Sequence, residues 1–369
     1  MSYIPINKGQ FTLETPEREA AFERHRGAGC EEAYRENRRQ WTEFPRTRHL
    51  ADYPLHVDLE LASLCNLRCP MCYTITADFR RRVNAKLMDY DLFTRLVDEC
   101  AAGGVYSIRL SLRGEAFLHP RIVDCIRYAK SKGIKEVSTL TNGGRLDEAM
   151  FTEIMEAGLD WLTVSIDGIG KVYDEIRRPL KFDRMVEKLG NFKRIKEEAG
   201  QVKPVVKVQT VLPAIEADPQ AYYDIFAPIV DLVSANPLIG YTDDTSNLPR
   251  VPDFSCPQVY QRLVVGADGR YMMCSNDERQ EVDIGNANVQ TIHEVWHGPE
   301  MTRIRELHAS HRACGKLVPC AQCYLPLQTY EDAVQVGGRS VIAPKYVDGK
   351  TRVSDLDTPE RWKRPAITV

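Results

Sequence analysis

Eleven cysteines are spread along the 369 residues, and seven of them fall into two groups with the spacing of metal ligands. The first is Cys65, Cys69 and Cys72, with three residues in one gap and two in the next. Three thiolates in so short a loop can hold three corners of a cubane iron–sulfur cluster, leaving the fourth iron open. A zinc site or a chance grouping of buried thiols competes with this reading, although structural zinc usually shows paired CxxC knuckles. The second group is Cys256, Cys274, Cys320 and Cys323. Four thiols complete a [4Fe–4S] cluster with no outside ligand, and they suit tetrahedral zinc as well. Cys314, six residues before Cys320, is left over: a spare ligand, an inert surface thiol or a hydrogen donor. Cys100 and Cys125 fall in helical stretches and read as packing thiols. Cys30 carries no signal.

The elements around these thiols follow from periodicity. Residues 55–62 alternate Val57, Leu59 and Leu61 with His56, Asp58 and Glu60, the period of a strand, so the first cysteine group occupies the loop after a strand. Helices at 89–102, 121–132, 147–157, 182–199 and 222–226 then alternate with strands at 106–112, 136–140, 161–166, 205–211 and 229–234. Six βα units over 55–235 predict an α/β fold, a partial (β/α)6 TIM-like barrel whose ligands gather at the carboxyl ends of its strands. Residues 236–255, rich in Pro, Asp, Thr and Asn, read as a linker. Over 256–327, strands at 259–265 and 270–274 flank the turn Gly266-Ala267-Asp268-Gly269, and a helix at 291–309 precedes the closing CxxC, which makes a small α+β domain. Residues 1–54 form a helical extension, with one or two surface helices within 14–40. Residues 328–369 form a tail that packs on one of the domains and carries no chemistry.

CxxxCxxC after the first barrel strand resembles the hallmark of the radical S-adenosylmethionine (SAM) superfamily. The resemblance implies a [4Fe–4S] cluster whose open iron is chelated by SAM, and reductive cleavage of SAM to a 5′-deoxyadenosyl radical. Other strand ends carry the likeness further. Arg113 to Pro120 is similar to the family's GGEPLLHP motif, with Arg113 for the first Gly and Ala116 for Pro; Gly114 and Glu115 are retained, and Glu115 is implied to bind the SAM amino group. Thr141-Asn142-Gly143 matches TNG beside SAM, and Ser165-Ile166-Asp167-Gly168 matches SxDG. The resemblance makes Ser165 and Asp167 contacts to the SAM ribose or carboxylate. Arg177 is implied to pair the carboxylate, for which a planar guanidinium is suited. Met71 replaces the usual aromatic residue and offers its backbone to the adenine.

Cys256, twelve residues, Gly269, four residues and Cys274 resemble the opening of SPASM and twitch domains. With Cys320 and Cys323 this implies one auxiliary [4Fe–4S] cluster. A twitch-type domain with one auxiliary cluster resembles 2-deoxy-scyllo-inosamine dehydrogenases and related sugar- or aminocyclitol-modifying enzymes. The implied reaction removes hydrogen from a carbinol carbon and delivers the remaining electron to the auxiliary cluster, giving a ketone. The alternatives are epimerisation of a sugar carbon with Cys314 as hydrogen donor, and peptide maturation. A non-catalytic iron–sulfur or zinc protein has no need of Glu115, TNG and SxDG at successive strand ends.

Composition limits the partners. A net charge of −3, with 43% hydrophobic and 27% charged residues, gives no reason to invoke nucleic acid or an anionic membrane. No apolar run reaches the roughly 18 residues of a membrane span, and the first residues lack a signal-peptide core. The sequence therefore suggests a cytoplasmic enzyme, and the resemblance implies a small-molecule substrate, a sugar or aminocyclitol that is free or carrier-linked. An external donor such as flavodoxin or ferredoxin would reduce its SAM-binding cluster.

Overall fold

The computed structural model describes residues 11–238 and 247–348. In chain order the elements are β1 (Phe11–Thr12), α1 (Pro16–Gly27), α2 (Glu31–Thr47), β2 (His56–Leu59), α3 (Ala77–Arg82), α4 (Tyr90–Ala102), β3 (Ser107–Arg109), α5 (Ile122–Ser131), β4 (Glu136–Thr141), α6 (Glu148–Glu156) and β5 (Trp161–Ser165). There follow α7 (Lys171–Ile176), α8 (Phe182–Glu198), β6 (Val205–Val211), α9 (Pro219–Phe226), β7 (Leu232–Asn236), β8 (Arg262–Val265) and β9 (Tyr271–Met272). The chain continues through α10 (Ile292–Trp296), α11 (Pro299–Ala309), α12 (Ala313–Lys316) and α13 (Val318–Ala321) to β10 (Thr329–Val336) and β11 (Arg339–Tyr346). Residues 239–246 of the expected linker and 349–369 of the expected tail lie outside the described residues.

Six parallel strands, β2 to β7, stand side by side in chain order. A sheet wound in one direction this way keeps its helices on one face and curves around the other. The sixth strand begins at Leu232, three residues later than the sequence suggests, because Pro228 and Ile229 still belong to the turn after α9. The edges of this parallel core are covered. β1 pairs antiparallel with β7, and β8 pairs parallel with β2 from His56↔Arg262 to Leu59↔Val265. The C-terminal hairpin thus continues the barrel sheet.

The alternation in β2 does not mark a half-exposed strand, since all four residues are buried. Val57 and Leu59 join the main apolar core with α4 and α5, while His56 and Asp58 face the concave side. There His56 Nε2 lies 2.9 Å from Asp58 Oδ1 and Nδ1 lies 2.7 Å from Ser107 Oγ. Arg109 and Arg262 reach Asp58 at 2.8 and 3.2 Å. Burial alone would raise the Asp58 carboxyl, but Arg109, His56 and Arg262 outweigh it and hold it well below the usual carboxylate range.

The N-terminal pair is not the surface element that its Glu- and Arg-rich sequence suggests. α1 and α2 pack across the barrel's open bottom, where Phe22, Trp41, Trp161, Val205 and Leu232 make a second apolar cluster. Arg26 enters with them: its guanidinium sits 4.3 Å over Trp161 and makes two hydrogen bonds to Glu136, at 2.7 and 2.9 Å. Both side chains are essentially unexposed. Burial would raise the Glu136 carboxyl, yet Arg26 brings it down to about 2.

Two further differences have local causes. The helix expected over 291–309 is broken at Gly298, because Pro299 has no N–H to continue α10 and starts α11 instead. A side chain at Gly298 would meet Glu294 O at 2.9 Å. In the tail, β10 and β11 form a hairpin whose two-residue turn, Gly337-Gly338, has φ of 59° and 70°, a geometry that favours glycine. Arg339 donates to Leu13 O at 2.6 Å, fastening this hairpin near β1.

Candidate active site

The predicted residues converge on the carboxyl ends of β2 to β5. After β2 the chain is braced by the bridge between Ala62 and Leu87 and by Ser63 N–H donating to Lys86 O at 3.1 Å. The cysteine loop is compact: Cys72 N–H donates to Cys69 O at 3.0 Å, and Leu67 N–H to Cys65 Sγ at 3.4 Å. Cys69 is buried, and Cys65, Met71 and Cys72 are half-buried. Burial raises all three thiols, Cys69 to about 12, and neighbouring thiols add to the rise at Cys65 and Cys69. Protons on such crowded sulfurs are the ones that bound iron displaces.

Gly114 and Glu115 follow β3 and meet this loop from the side. Glu115 N–H donates to Leu64 O at 2.8 Å. A Cβ on Gly114 would lie 2.4 Å from both Ala62 O and Leu64 O, so the backbone there approaches as only glycine allows. The Glu115 carboxylate is 1% exposed and accepts three hydrogen bonds. They come from Thr141 Oγ1 at 2.7 Å, Phe117 N–H at 3.1 Å and Asn142 N–H at 2.7 Å. Burial pushes this carboxyl up, against the pull of those donors. A carboxylate has about four acceptor positions, so one remains for a cation. Thr141 is fully buried, and its hydroxyl also accepts from Gly143 N–H at 2.9 Å. Asn142 reaches the cysteine loop, donating to Asn66 Oδ1 at 2.8 Å and pointing Nδ2 at Cys65 Sγ, 3.9 Å away.

Ser165 is buried at the end of β5, in register with Gln209. Asp167 and Arg177, both expected to face a ligand, are partners of one another. Arg177 Nε donates to Asp167 Oδ2 at 2.7 Å, while Val211 N–H donates to Oδ1 at 3.0 Å. Asp167 is thereby occupied. Burial opposes the charge on Arg177, but Asp167 and then Cys69 strengthen it, which places a firm cation beside the cysteine loop.

The second thiol group is equally well formed. Cys256, Cys274, Cys320, Cys323 and the leftover Cys314 line one pocket together with His308. Asn276 Nδ2 donates to Cys323 Sγ at 3.3 Å and Leu325 N–H does so at 3.4 Å. His308 was not foreseen, since a lone histidine on the apolar face of a helix has no sequence mark. It is 1% exposed, and burial holds its imidazole neutral, down to about 4. Its Nδ1 accepts from Cys256 N–H at 3.2 Å, so Nε2 carries the hydrogen and points it at Cys320 Sγ, 3.7 Å away. Eleven free thiols and N–H donors aimed at Cys65, Cys320 and Cys323 fit two thiolate-ligated iron–sulfur groups.

Arg113, where the family motif has glycine, joins the two groups. Its guanidinium makes a buried two-point pair with Glu60 at 2.7 and 2.5 Å and donates to Glu278 O at 3.0 Å. Glu60 also accepts from Ala267 N–H in the β8–β9 turn at 3.1 Å. The short run Asn276-Asp277-Glu278 therefore touches Cys323 at one end and the barrel mouth at the other.

Comparison with known proteins agrees with this geometry. Residues 59–211 match the Radical SAM superfamily, and residues 256–334 match SPASM, an iron–sulfur cluster-binding domain. A tungsten-containing aldehyde ferredoxin oxidoreductase cofactor-modifying protein of Pyrococcus furiosus is 30% identical over 156 residues, 42% of each chain. A GTP 3′,8-cyclase of Chlorobaculum tepidum is 32% identical over 136 residues, 36% of this chain and 39% of that protein. The chain thus matches these curated relatives over only about two fifths of their length. Among solved structures, BtrN in complex with AdoMet and 2-DOIA has a TM-score of 0.51 at 18% identity, covering 74% of this chain and 94% of that one. SuiB of Streptococcus suis bound to S-adenosylmethionine has a TM-score of 0.53 at 14% identity, covering 79% and 77%. At such identities these two share the fold. With thiols, Glu115 and Arg177 gathered at one barrel edge, and both domain types matched in order, the chain belongs to the radical SAM superfamily and carries an SPASM-type iron–sulfur domain.

Proposed function

We propose that the enzyme oxidises a carbinol carbon of a sugar or aminocyclitol to a ketone. Cys65, Cys69 and Cys72 would hold the SAM-binding [4Fe–4S] cluster, and Cys256, Cys274, Cys320 and Cys323 an auxiliary one. When bound, SAM and the two clusters supply a radical that takes the carbon's hydrogen atom and a sink for the electron left behind. The protein's residues bind, orient and enclose. Glu115 keeps one acceptor position for the SAM ammonium, and Arg177, steadied by Asp167, presents its remaining N–H edge to the carboxylate.

The observation that carries the oxidative reading is the four-thiol pocket of the SPASM domain, complete without substrate and supplied with N–H donors. Such a site suits electron storage better than substrate ligation. The barrel lumen supports the substrate class. Above the apolar floor of Trp161, Val205 and Leu232, the same strand faces continue through Thr163, Lys207 and Ser234 to Ser165, Gln209 and Asn236, a lining matched to hydroxyl groups. BtrN, whose structure holds AdoMet and 2-DOIA, shares this fold over most of its length, which accords with the reading. No helix among the described residues is long and apolar enough to cross a membrane.

The second reading is epimerisation, for which Cys314 would return a hydrogen atom. Cys314 is half-buried among the auxiliary thiols, a place better suited to packing. Turnover in D2O separates the two. The expected product is a ketone, also formed by Cys314→Ala; an inverted, singly deuterated alcohol from wild type and its loss in Cys314→Ala would replace oxidation by epimerisation.

Two further results are expected. Glu115→Gln keeps the shape but removes the charge, and a charge-assisted hydrogen bond is worth about 1.5–3 kcal/mol. SAM should bind roughly ten- to a hundredfold more weakly by equilibrium dialysis, with iron content unchanged; unaltered affinity would remove Glu115 from the site. His308→Leu deletes the N–H directed at Cys320, which stabilises the reduced form of a thiolate-ligated cluster. The auxiliary midpoint should fall in an EPR-monitored redox titration, by on the order of 59 mV if the bond is worth a factor of ten in a one-electron couple. An unmoved midpoint would make His308 a packing residue.

A further inference from the structure

At the amino end of β2, two imidazoles and a carboxylate converge. His293 lies in α10 and His297 is its C-cap residue. Four residues apart, they share one side of the helix, with ring centroids 4.5 Å apart. Asp52, in the segment that leads into β2, brings Oδ1 to 3.1 Å from His293 Nε2. His297 Nε2 lies 2.8 Å from the main-chain O of Asp52. One ligand atom from each of the three side chains lies within 4.8 Å of the other two.

Two ligands about 2.1 Å from a tetrahedral ion stand about 3.4 Å apart, so this cluster is close to a coordination sphere already. It is also held in place from outside. Thr291 and Glu294 form a capping box that fixes the start of α10, and Glu99 accepts from Ile292 N–H at 2.8 Å. Trp296 Nε1 donates to Ala51 O at 2.9 Å, and the Tyr53 ring packs 5.2 Å from that of His293. Tyr53 in turn is backed by Gly103, where a Cβ would clash with its ring at 2.3 Å. Rotation of the exposed Asp52 and His297 side chains and the half-buried His293 would close the three on an ion.

We propose that Asp52, His293 and His297 form a mononuclear site for a divalent transition ion of the zinc class, with water completing the sphere. Two imidazoles and one carboxylate suit zinc or nickel; magnesium and calcium take oxygen ligands. The ion clips the SPASM-domain helix α10 to the entry of the first barrel strand. It lies at the opposite end of β2 from Cys65 and touches no reacting group. Its role is structural.

The test uses tag-free, cluster-loaded protein, so that both thiol groups are already occupied, and titrates Zn2+ calorimetrically. One zinc per chain is expected, with at least a tenfold loss of affinity in Asp52→Asn and no comparable binding in the double variant His293→Gln, His297→Gln. All three side chains are at the surface, and iron content checks that each variant is folded and loaded. Nickel gives a second readout, because an ion at His297 sits beside Trp296 and should quench its fluorescence in wild type alone. Equal zinc uptake by wild type and double variant, or none by either, would overturn the site.

Discussion

Replacing Cys65, Cys69 and Cys72 together by alanine is expected to halve the bound iron, from about eight to about four per chain if each cluster holds four irons. SAM cleavage should vanish with it. The remaining iron should stay because the second thiol group is built independently, from the β8–β9 hairpin and the segment around α13, with its own donors in Asn276, His308 and Leu325. The reciprocal change, Cys256→Ala with Cys274→Ala, should leave SAM cleavage in place while ketone formation is lost. Iron analysis and 5′-deoxyadenosine release after anaerobic reconstitution measure both. Undiminished iron or continued cleavage in the triple variant would refute the assignment of Cys65, Cys69 and Cys72.

The second large effect is on stability. Arg26→Leu should destabilise the fold by about 3–5 kcal/mol, the usual result of removing one partner from a buried pair. Glu136 would be left buried with no cation at hydrogen-bond distance, in a place where Arg26 now holds its carboxyl down to about 2. Adding Glu136→Gln should recover part of the loss, because the uncompensated charge goes too. Urea denaturation with an unchanged slope but a lower midpoint is the expected signature. A single variant as stable as wild type would mean that α1 does not close the barrel floor.

That floor also shows where sequence reading stops. The thiol groups, Glu115 and the strand ends were legible because each rests on local spacing beside a strong periodic element. Arg26 was not: a helix rich in Glu and Arg looks solvated, and only the barrel supplies the buried carboxylate that pairs it. β2 posed the same problem in reverse, since polar alternation suggests a wet face, and that face is filled by Arg109 and Arg262 from the two strands paired with it. His308 had no local mark at all. Asp167 and Arg177 were both read as ligand contacts; their mutual pairing depends on the turn between β5 and α7.

The parallel pairing of β2 with β8 has a consequence for electron transfer. In the proposed reaction the electron leaves a substrate at the barrel mouth for the second thiol group, and the β2–β8 hydrogen-bond ladder helps to fix where that group's hairpin sits against the barrel. A register slip of β8 against β2 would move the second thiol group relative to the first.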